Sequence, residues 1–430
     1  MQTLSILGGG SAYTPGLLQA LIAHAAELPL KTIRLYDIDA ERLAIVARLT
    51  SAMARQSGIL TIEAVTTLEA AIQGADMILN STRPGGLEAR RIDETLPLEF
   101  DIPGQETVGP GGFFYAMRSV PQALQVARLM QTLAPQAMLL NYTNPSNIVT
   151  QALADHGANV IGMCDQSDED LQALTHALQL PPNYDFVCNG LNHATWYTNM
   201  RLDGKSLAEL APAITAFSDL QAPTEFDEEH RLRFVFSQAM ARDNPGFWPN
   251  SYLPYYLYPY SFVEQAKRVG PRSDVVAASL PAYYAHFAEE AAKDVPQLRL
   301  YRGSAGFGDL AVSVIRALAS DTPVALVLNL PNHGATSAFA DDTVIETRVM
   351  LSRSGIQRLP APPLPPSFHA LAAQLENYQR LSATATVNGD QQSLIAALAA
   401  NPMITSPAIA AAMLERARER YGKLLPGIPA

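Results

Sequence analysis

The chain has 430 residues, of which 48% are hydrophobic and 17% are charged, with a formal net charge of −11 and a pI near 5.2. A chain of this length can bury one large or two medium hydrophobic cores. The negative charge argues against nucleic acid or an anionic membrane as a main partner, because the basic surface that such partners require is missing. An anionic small substrate would need a local group of arginines.

Cysteine usage and the N-terminal segment indicate a cellular compartment. The two cysteines, Cys164 and Cys188, do not form a disulfide framework and favour a reducing environment. The opening residues, MQTLSILGGGSA, lack a basic region followed by a long apolar stretch, and no apolar run of about 18 residues occurs. We therefore expect a cytoplasmic protein without a membrane span.

A turn of three consecutive glycines follows the first apolar run of the chain. TLSIL, residues 3–7, predicts a strand, and Thr14 with the following proline predicts the N-cap of a helix after the glycines. Glycines allow a pyrophosphate to approach backbone N–H groups at a helix N-terminus. A second strand ends near Asp37, whose carboxylate would bind ribose hydroxyls and favour NAD over NADP. Because GGGS is not a strict G-x-G-x-x-G, a purely structural turn is the alternative.

Strands and helices alternate through the first 164 residues. Six strands are predicted, at 3–7, 32–39, 61–65, 75–82, 137–143 and 159–164. This alternation predicts an α/β fold with a doubly wound, Rossmann-type parallel sheet. From about Ser167 the pattern becomes mixed, which predicts a C-terminal α+β domain for substrate binding and oligomerisation. The predicted domains are therefore 1–166 and 167–430.

Cys164 and Asp165 lie at the end of the sixth predicted strand, where open α/β sheets bind ligands. His193 follows a second apolar segment. A thiol and an imidazole together are suitable ligands for a divalent transition metal, although buried packing of both side chains is the alternative. Two ligands are too few for a protein-only site, so a bound substrate would supply the others.

A long insertion between the fourth and fifth predicted strands combines charged residues, including Arg90 and Glu106, with six glycines. A solvated surface helix is one interpretation of these charges. The GQETVGPGG stretch favours a binding role, since loops on a rigid scaffold often carry binding groups. Beyond the insertion, Asn144 lies at a strand end, where it could bond a substrate hydroxyl or cap the next helix.

Seven motifs follow one another over the first 200 residues: GGGSAYTPG, LYDID, ARRIDETLPL, GQETVGPGG, NYTNP, MCD and GLNH. Together with the later PNSYLPYYLYP, they resemble the family 4 glycoside hydrolases, which use NAD and a divalent metal, usually manganese. The resemblance implies cofactor contacts from Gly8, Gly9, Gly10, Ser11, Tyr13, Thr14 and Asp37. It implies substrate contacts from Arg90, Glu106, Asn144, Asn192 and Arg272, the last facing a phosphate. Cys164 and His193 would hold the metal.

The resemblance also implies a hydrolysis without net redox change, an exception to the two-carboxylate mechanism of most glycosidases. NAD⁺ would take a hydride from C3 of the sugar, and Tyr252 would remove the C2 proton as a general base. The metal would stabilise the enediolate as a Lewis acid. Asp165 would protonate the departing oxygen, water would add to the unsaturated intermediate, and the hydride would return to C3.

The sequence predicts a homodimeric or homotetrameric 6-phosphoglucosidase that acts on a phosphorylated disaccharide or glucoside. Cys164 followed by Asp165 resembles the 6-phospho-α-glucosidases of the family, whereas the tail at 387–404 resembles the 6-phospho-β-glucosidases. We favour the α specificity over β. Two functions of other classes are the alternatives. An NAD-dependent hydroxy-acid dehydrogenase would need a His–Asp relay that His156 and His333 do not supply, and a non-catalytic NAD-binding regulator would not need a metal half-site.

Overall fold

A computed structural model describes residues 1–55, 57–210, 220–299 and 308–425. The strands are β1 Thr3–Leu7, β2 Thr32–Tyr36, β3 Thr61–Ala64, β4 Met77–Asn80, β5 Met138–Asn141, β6 Val160–Gly162, β7 Tyr184–Leu191, β8 Ala194–Leu202, β9 Lys205–Ser206, β10 Phe247–Pro249, β11 Val324–Pro331, β12 Val344–Ser352 and β13 Gly355–Arg358.

The helices are α1 Thr14–Ala23, α2 Ala40–Arg55, α3 Leu68–Ile72, α4 Gly86–Thr95, α5 Gly109–Leu133, α6 Ser146–Asp155, α7 Gln166–Ala177, α8 Glu228–Asp243, α9 Pro254–Leu257, α10 Pro259–Val269, α11 Arg272–Glu290, α12 Asp309–Ala319, α13 His369–Asn388, α14 Gln391–Ala399 and α15 Pro407–Tyr421. Within the described ranges, none of the helices combines the length and the apolar character that crossing a bilayer requires.

The first six strands form the predicted parallel sheet, in the order β3-β2-β1-β4-β5-β6. Helices cover both faces, so the short inner strands are buried and mainly apolar, as the fully buried β4 sequence MILN, in which only the last residue is polar, illustrates. The strand ends are in register: Leu7 is paired with Tyr36 and Asn80, and Asn141 is paired with Asn80 and Gly162. The residues that directly follow these strands therefore meet along one edge of the sheet. The predicted doubly wound α/β architecture is confirmed.

The second half of the chain extends the same sheet with antiparallel strands. β11 pairs with β6, and the order continues through β12, β7 and β8 to β10. β7 and β8 form a hairpin whose turn consists of Asn192 and His193, and His193 has φ +64°. Although β11 and β12 separate β7 from β6 in this order, the turn of the hairpin reaches the segment that follows β6, where His193 contacts Cys164. The sheet extension thus brings His193 to Cys164.

The insertion after β4 is not the solvated surface helix considered above. It forms α4, whose Arg90, Asp93 and Glu94 are buried. Asp93 forms a salt bridge of 2.7 Å with Arg118 of α5, and both side chains are almost fully buried. Buried charges of this kind require paired partners. The insertion is therefore part of the interior beside the sheet edge.

Candidate active site

A cavity of about 1440 Å³ lies along the edge where the parallel strands end. Gly8, Ser81, Tyr142 and Met163 line it, and each lies directly beyond the carboxyl end of a parallel strand. All the site residues predicted from sequence line this cavity except Gly9 and Asn192. The structure therefore brings the predicted cofactor, metal, catalytic and phosphate groups to one place.

The glycine turn packs too closely against neighbouring strands to accept side chains. Gly8 has φ +86°, and a Cβ there would lie 3.0 Å from the carbonyl oxygen of Ser81. A Cβ on Gly9 would lie 2.9 Å from the Cβ of Leu35. Gly9 thus faces the sheet rather than the cavity, and its role is to allow the turn to approach β2.

Asp37 closes the glycine turn from the end of β2. Its Oδ2 accepts a hydrogen bond of 2.9 Å from the Gly10 N–H. The predicted N-cap role of Thr14 is wrong: Tyr13 is the N-cap residue, without a side-chain cap, and the Thr14 hydroxyl lies 3.4 Å from the Gly8 carbonyl oxygen. The start of α1 and the Asp37 carboxylate nevertheless line the same cavity. This arrangement suits the phosphates and the ribose of a dinucleotide.

Cys164 and His193 form the predicted thiol–imidazole pair. The Cys164 Sγ lies 3.5 Å from the His193 Nε2. Burial raises the pKa of the Cys164 thiol well above its usual range and lowers the pKa of His193 to about 3, so the imidazole is neutral. Among the described residues, no group of three or more His, Cys, Asp and Glu could hold a metal ion. That a bound substrate would supply the further ligands stays a prediction.

The Tyr252 ring is held between two partners. The His193 ring stacks on it with centroids 4.1 Å apart and an interplanar angle of 16°. The guanidinium of Arg233, on α8, lies 4.4 Å from the centroid of the Tyr252 ring. Because the imidazole occupies one face, the guanidinium must lie over the other. Burial raises the pKa of Tyr252, and the positive charge of Arg233 opposes that rise.

Asp165 occupies the N-cap position of α7, next to Cys164. The Tyr142 hydroxyl donates a hydrogen bond of 3.3 Å to its Oδ1. Burial raises the pKa of Asp165 to about 8, and the nearby Glu169 carboxylate adds to the rise. The cavity wall therefore holds a carboxyl group whose pKa lies well above that of a carboxyl group in water.

A chain of buried ion pairs connects the insertion to α11. Glu106 pairs with Arg83 and, at 3.1 Å, with Arg90. Arg90 also donates a hydrogen bond of 2.8 Å to Glu94, whose other oxygen accepts one of 2.8 Å from the Ser273 N–H. These bonds fix the start of α11 against the insertion.

Arg272 is the first residue of α11 and lines the cavity. It is half-buried, and no carboxylate in the described part of the chain forms an ion pair with it. Its neighbours Arg83 and Arg90 are compensated by Glu106 and Glu94. Arg272 therefore presents to the cavity a guanidinium without a direct ion-pair partner in the described ranges, although the Glu229 and Glu106 carboxylates interact with it electrostatically.

The two predicted asparagines differ in placement. Asn144 lines the cavity, and its Oδ1 also accepts a hydrogen bond of 3.3 Å from the Ser146 N–H. Asn192 lies outside the cavity wall, where its amide donates a hydrogen bond of 2.7 Å to the fully buried Glu346. Asn144 therefore lines the cavity with the other predicted substrate contacts, whereas Asn192 lies behind the cavity wall, where it also forms a hydrogen bond with the Cys164 thiol.

Comparison with known proteins identifies the family. Residues 3–179 match the sequence model of family 4 glycosyl hydrolases, and residues 188–404 match the C-terminal domain of that family. The chain belongs to the family 4 glycosyl hydrolases. The resemblance found in the sequence is thereby confirmed, and the protein is a hydrolase. The dehydrogenase and regulator alternatives are left without support.

Relatives of this family 4 enzyme include both anomeric specificities. It is 30% identical to a probable 6-phospho-β-glucosidase of Bacillus subtilis strain 168, over 98% of this chain and 96% of the relative. It is also 30% identical to 6-phospho-α-glucosidase 1 of Lacticaseibacillus paracasei, over 82% of each chain. The crystal structure of a 6-phospho-α-glucosidase from gut microorganisms, in complex with NAD and Mn²⁺, superposes with a TM-score of 0.89 at 26% identity and full coverage of both chains.

Two groups at the site of this family 4 enzyme escaped sequence analysis. Arg233 lies on α8, where an arginine in a charged helix is most simply interpreted as exposed, yet it is 4% exposed. Tyr142 belongs to the end of a predicted strand, which by itself indicates no contact with a catalytic group. Arg233 carries no local sequence signal, and Tyr142 lies in the NYTNP motif without a pattern that predicts its bond to Asp165.

Proposed function

We propose that this enzyme hydrolyses 6-phosphoglucosides with NAD and a divalent metal, and that α-linked substrates are preferred to β-linked ones. The observation that carries the proposal is a single cavity lined by the glycine turn, the Cys164–His193 pair, Tyr252 and Arg272. Each of these groups suits a different part of one phosphorylated sugar and its cofactors.

The residues present fit both cofactors. Side-chain-free glycines and the start of α1 suit a pyrophosphate, and Asp37 suits the ribose. The 3.5 Å between Cys164 Sγ and His193 Nε2 suits two ligands of one ion, since bonds to zinc, for example, are roughly 2.3 Å from sulfur and 2.1 Å from nitrogen. When bound, the nicotinamide supplies a reversible hydride acceptor and the metal supplies a Lewis acid.

Tyr252 and Asp165 perform the proton transfers in this proposal. The stacking of His193 and Arg233 on the Tyr252 ring fixes the direction of its phenolic oxygen, which takes the C2 proton. The positive charge of Arg233 favours the phenolate form of the base. Asp165, beside Cys164 in the same wall, donates a proton to the departing glycosidic oxygen.

Arg272 binds the phosphate of the substrate. A guanidinium without an ion-pair partner in the described ranges can form two charge-assisted hydrogen bonds to phosphate oxygens. The ion pairs among Arg90, Glu106 and Glu94, with the bond to Ser273, hold the helix start that carries it. An overall acidic protein can thus bind an anionic sugar.

Replacing Arg272 with methionine tests this role. We expect the KM for a 6-phosphoglucoside to rise by roughly 10- to 150-fold with little change in kcat, because a charged hydrogen bond contributes about 1.5–3 kcal/mol of binding. Steady-state kinetics provide the measurement. Arg91→Met is the matched control, since Arg91 is exposed, pairs with Asp274 and lies outside the cavity wall. An unchanged KM in Arg272→Met would remove Arg272 from the phosphate site.

The preference for α-linked substrates is the finer part of the proposal. Support comes from Cys164 being followed by Asp165, and from the gut 6-phospho-α-glucosidase structure; the Bacillus subtilis relative supports the β alternative. The oligomeric state and the domain boundary at 166/167 stay predictions.

The function is tested with α- and β-linked nitrophenyl glucoside 6-phosphates in parallel. We expect release of nitrophenol that requires both NAD⁺ and Mn²⁺, that is faster for the α anomer, and that leaves no accumulated NADH. Faster β hydrolysis would reverse the anomeric assignment. Absence of turnover with either anomer would refute the proposed function.

A further inference from the structure

Asp170 is a buried carboxylate outside the cavity wall, 5% exposed, on α7 one turn after Asp165. Its Oδ1 accepts a hydrogen bond of 2.9 Å from the Gln166 side chain. Its Oδ2 accepts one of 3.0 Å from the Tyr197 hydroxyl and one of 3.1 Å from the Ser251 N–H. No salt bridge to Asp170 occurs within the described ranges. A buried carboxylate without an ion pair is costly unless such donors satisfy it.

The bonds of Asp170 extend to the backbone of Tyr252. Tyr197, on β8, accepts a hydrogen bond of 3.0 Å from the Asn250 side-chain amide. The Asn250 Oδ1 in turn accepts one of 3.1 Å from the Tyr252 N–H. Asp170 therefore bonds directly to Ser251, the residue before Tyr252. It is connected to Tyr252 itself through Tyr197 and Asn250.

The other side of the network leads to Asp165. Gln166 follows Asp165 directly, and its amide lies 3.3 Å from the Ser251 hydroxyl while it donates to Asp170. The first turn of α7 and the turn after β10 are thus joined through one carboxylate. Burial raises the pKa of Asp170 to about 6, and the hydrogen bonds from Ser251 oppose that rise.

We infer that Asp170 is a positioning residue that fixes Asp165 and Tyr252 relative to each other. The inference rests on the proposed function, in which these two residues transfer protons at neighbouring points of one sugar. The carboxylate also stabilises the fold, because its loss would take an acceptor from the Gln166 amide, the Tyr197 hydroxyl and the Ser251 N–H. The network in addition joins the two segments that carry the proposed catalytic groups.

Replacing Asp170 with alanine tests the inference. We expect kcat per titrated NAD⁺-binding site to fall about 10- to 100-fold, the effect of a small misplacement of reacting groups. The KM for the phosphoglucoside and the affinity for NAD⁺ should stay unchanged. The kinetic isotope effect for a C2-deuterated substrate should rise, because proton removal becomes slower relative to the other steps. Counting active sites by NAD⁺ binding separates this result from a loss of folded protein.

Asp170→Asn is the conservative variant and should retain most of the activity. Its Oδ1 can still accept from Ser251, and the Gln166 amide can turn to present its oxygen to the new Nδ2. Tyr197→Phe removes only the hydroxyl between Asp170 and Asn250, so its kcat should fall between those of the wild type and the alanine variant. It decides the question if the alanine variant does not fold.

Unchanged kcat per site in Asp170→Ala, or in Tyr197→Phe if the alanine variant does not fold, would overturn the positioning role alone. A wild-type enzyme without turnover of either anomer would overturn the proposed function and this inference with it. The two failures are therefore distinguished by the wild-type control.

Discussion

Replacing Tyr252 with phenylalanine should lower kcat by about 100- to 10,000-fold, the usual contribution of a general base. Phenylalanine keeps the ring between His193 and Arg233 and loses only the phenolic oxygen. Substrate and NAD⁺ should therefore still bind. Steady-state kinetics and NAD⁺ titration of the same preparation provide the measurement.

Tyr258 offers a matched control in the same tyrosine-rich segment. Its ring stacks on Phe236 with centroids 4.2 Å apart, and it does not line the cavity. Tyr258→Phe should leave kcat unchanged. If Tyr252→Phe also retained wild-type kcat, the C2 proton would have to leave by another base.

Replacing Cys164 with serine should reduce Mn²⁺-dependent turnover at least about 100-fold, since even partners that only support metal ligands contribute 10- to 100-fold to affinity or activity. Cys164 and His193, which lie 3.5 Å apart, are the two predicted protein ligands of the cation, so the loss of one removes half of them. NAD⁺ binding should persist, because the glycine turn and Asp37 are unchanged. Turnover as a function of Mn²⁺ concentration, together with NAD⁺ titration, provides the measurement.

Cys188 provides the control for thiol removal. It lies on β7, is 1% exposed and belongs to an apolar cluster with Leu171, Phe186 and Tyr197. Cys188→Ala should retain Mn²⁺-dependent turnover. Wild-type dependence on Mn²⁺ in Cys164→Ser would exclude Cys164 as a metal ligand.

The parallel half of the fold could be predicted because its signals are local. Apolar runs, glycine stops and helix starts recur within short segments, so six strands and the edge that carries Cys164 follow from the sequence. The antiparallel extension could not be predicted in the same way. It depends on pairings such as Glu346 with Gly190, which no local pattern specifies.

Site residues that belong to recognisable sequence motifs could be predicted, whereas site residues that are placed by tertiary packing could not. Cys164, Asp165 and His193 follow from strand ends and residue type, whereas Tyr252 is singled out from its tyrosine-rich segment only by the family resemblance. Arg233 and Asp170 belong to helices in which charged residues are usually exposed. Their burial depends on the contacts of α7 and α8 with the segment around Tyr252.

In the proposed mechanism, the cofactor, the cation and the Tyr252 phenol act on adjacent carbons of one phosphorylated sugar. Hydrolysis of a 6-phosphoglucoside in D₂O, followed by NMR of the glucose 6-phosphate released, tests it most directly. Removal of the C2 proton by Tyr252 and its later replacement from solvent predict deuterium at C2 of the product. Product that retains protium at C2 after complete turnover in D₂O would contradict the account.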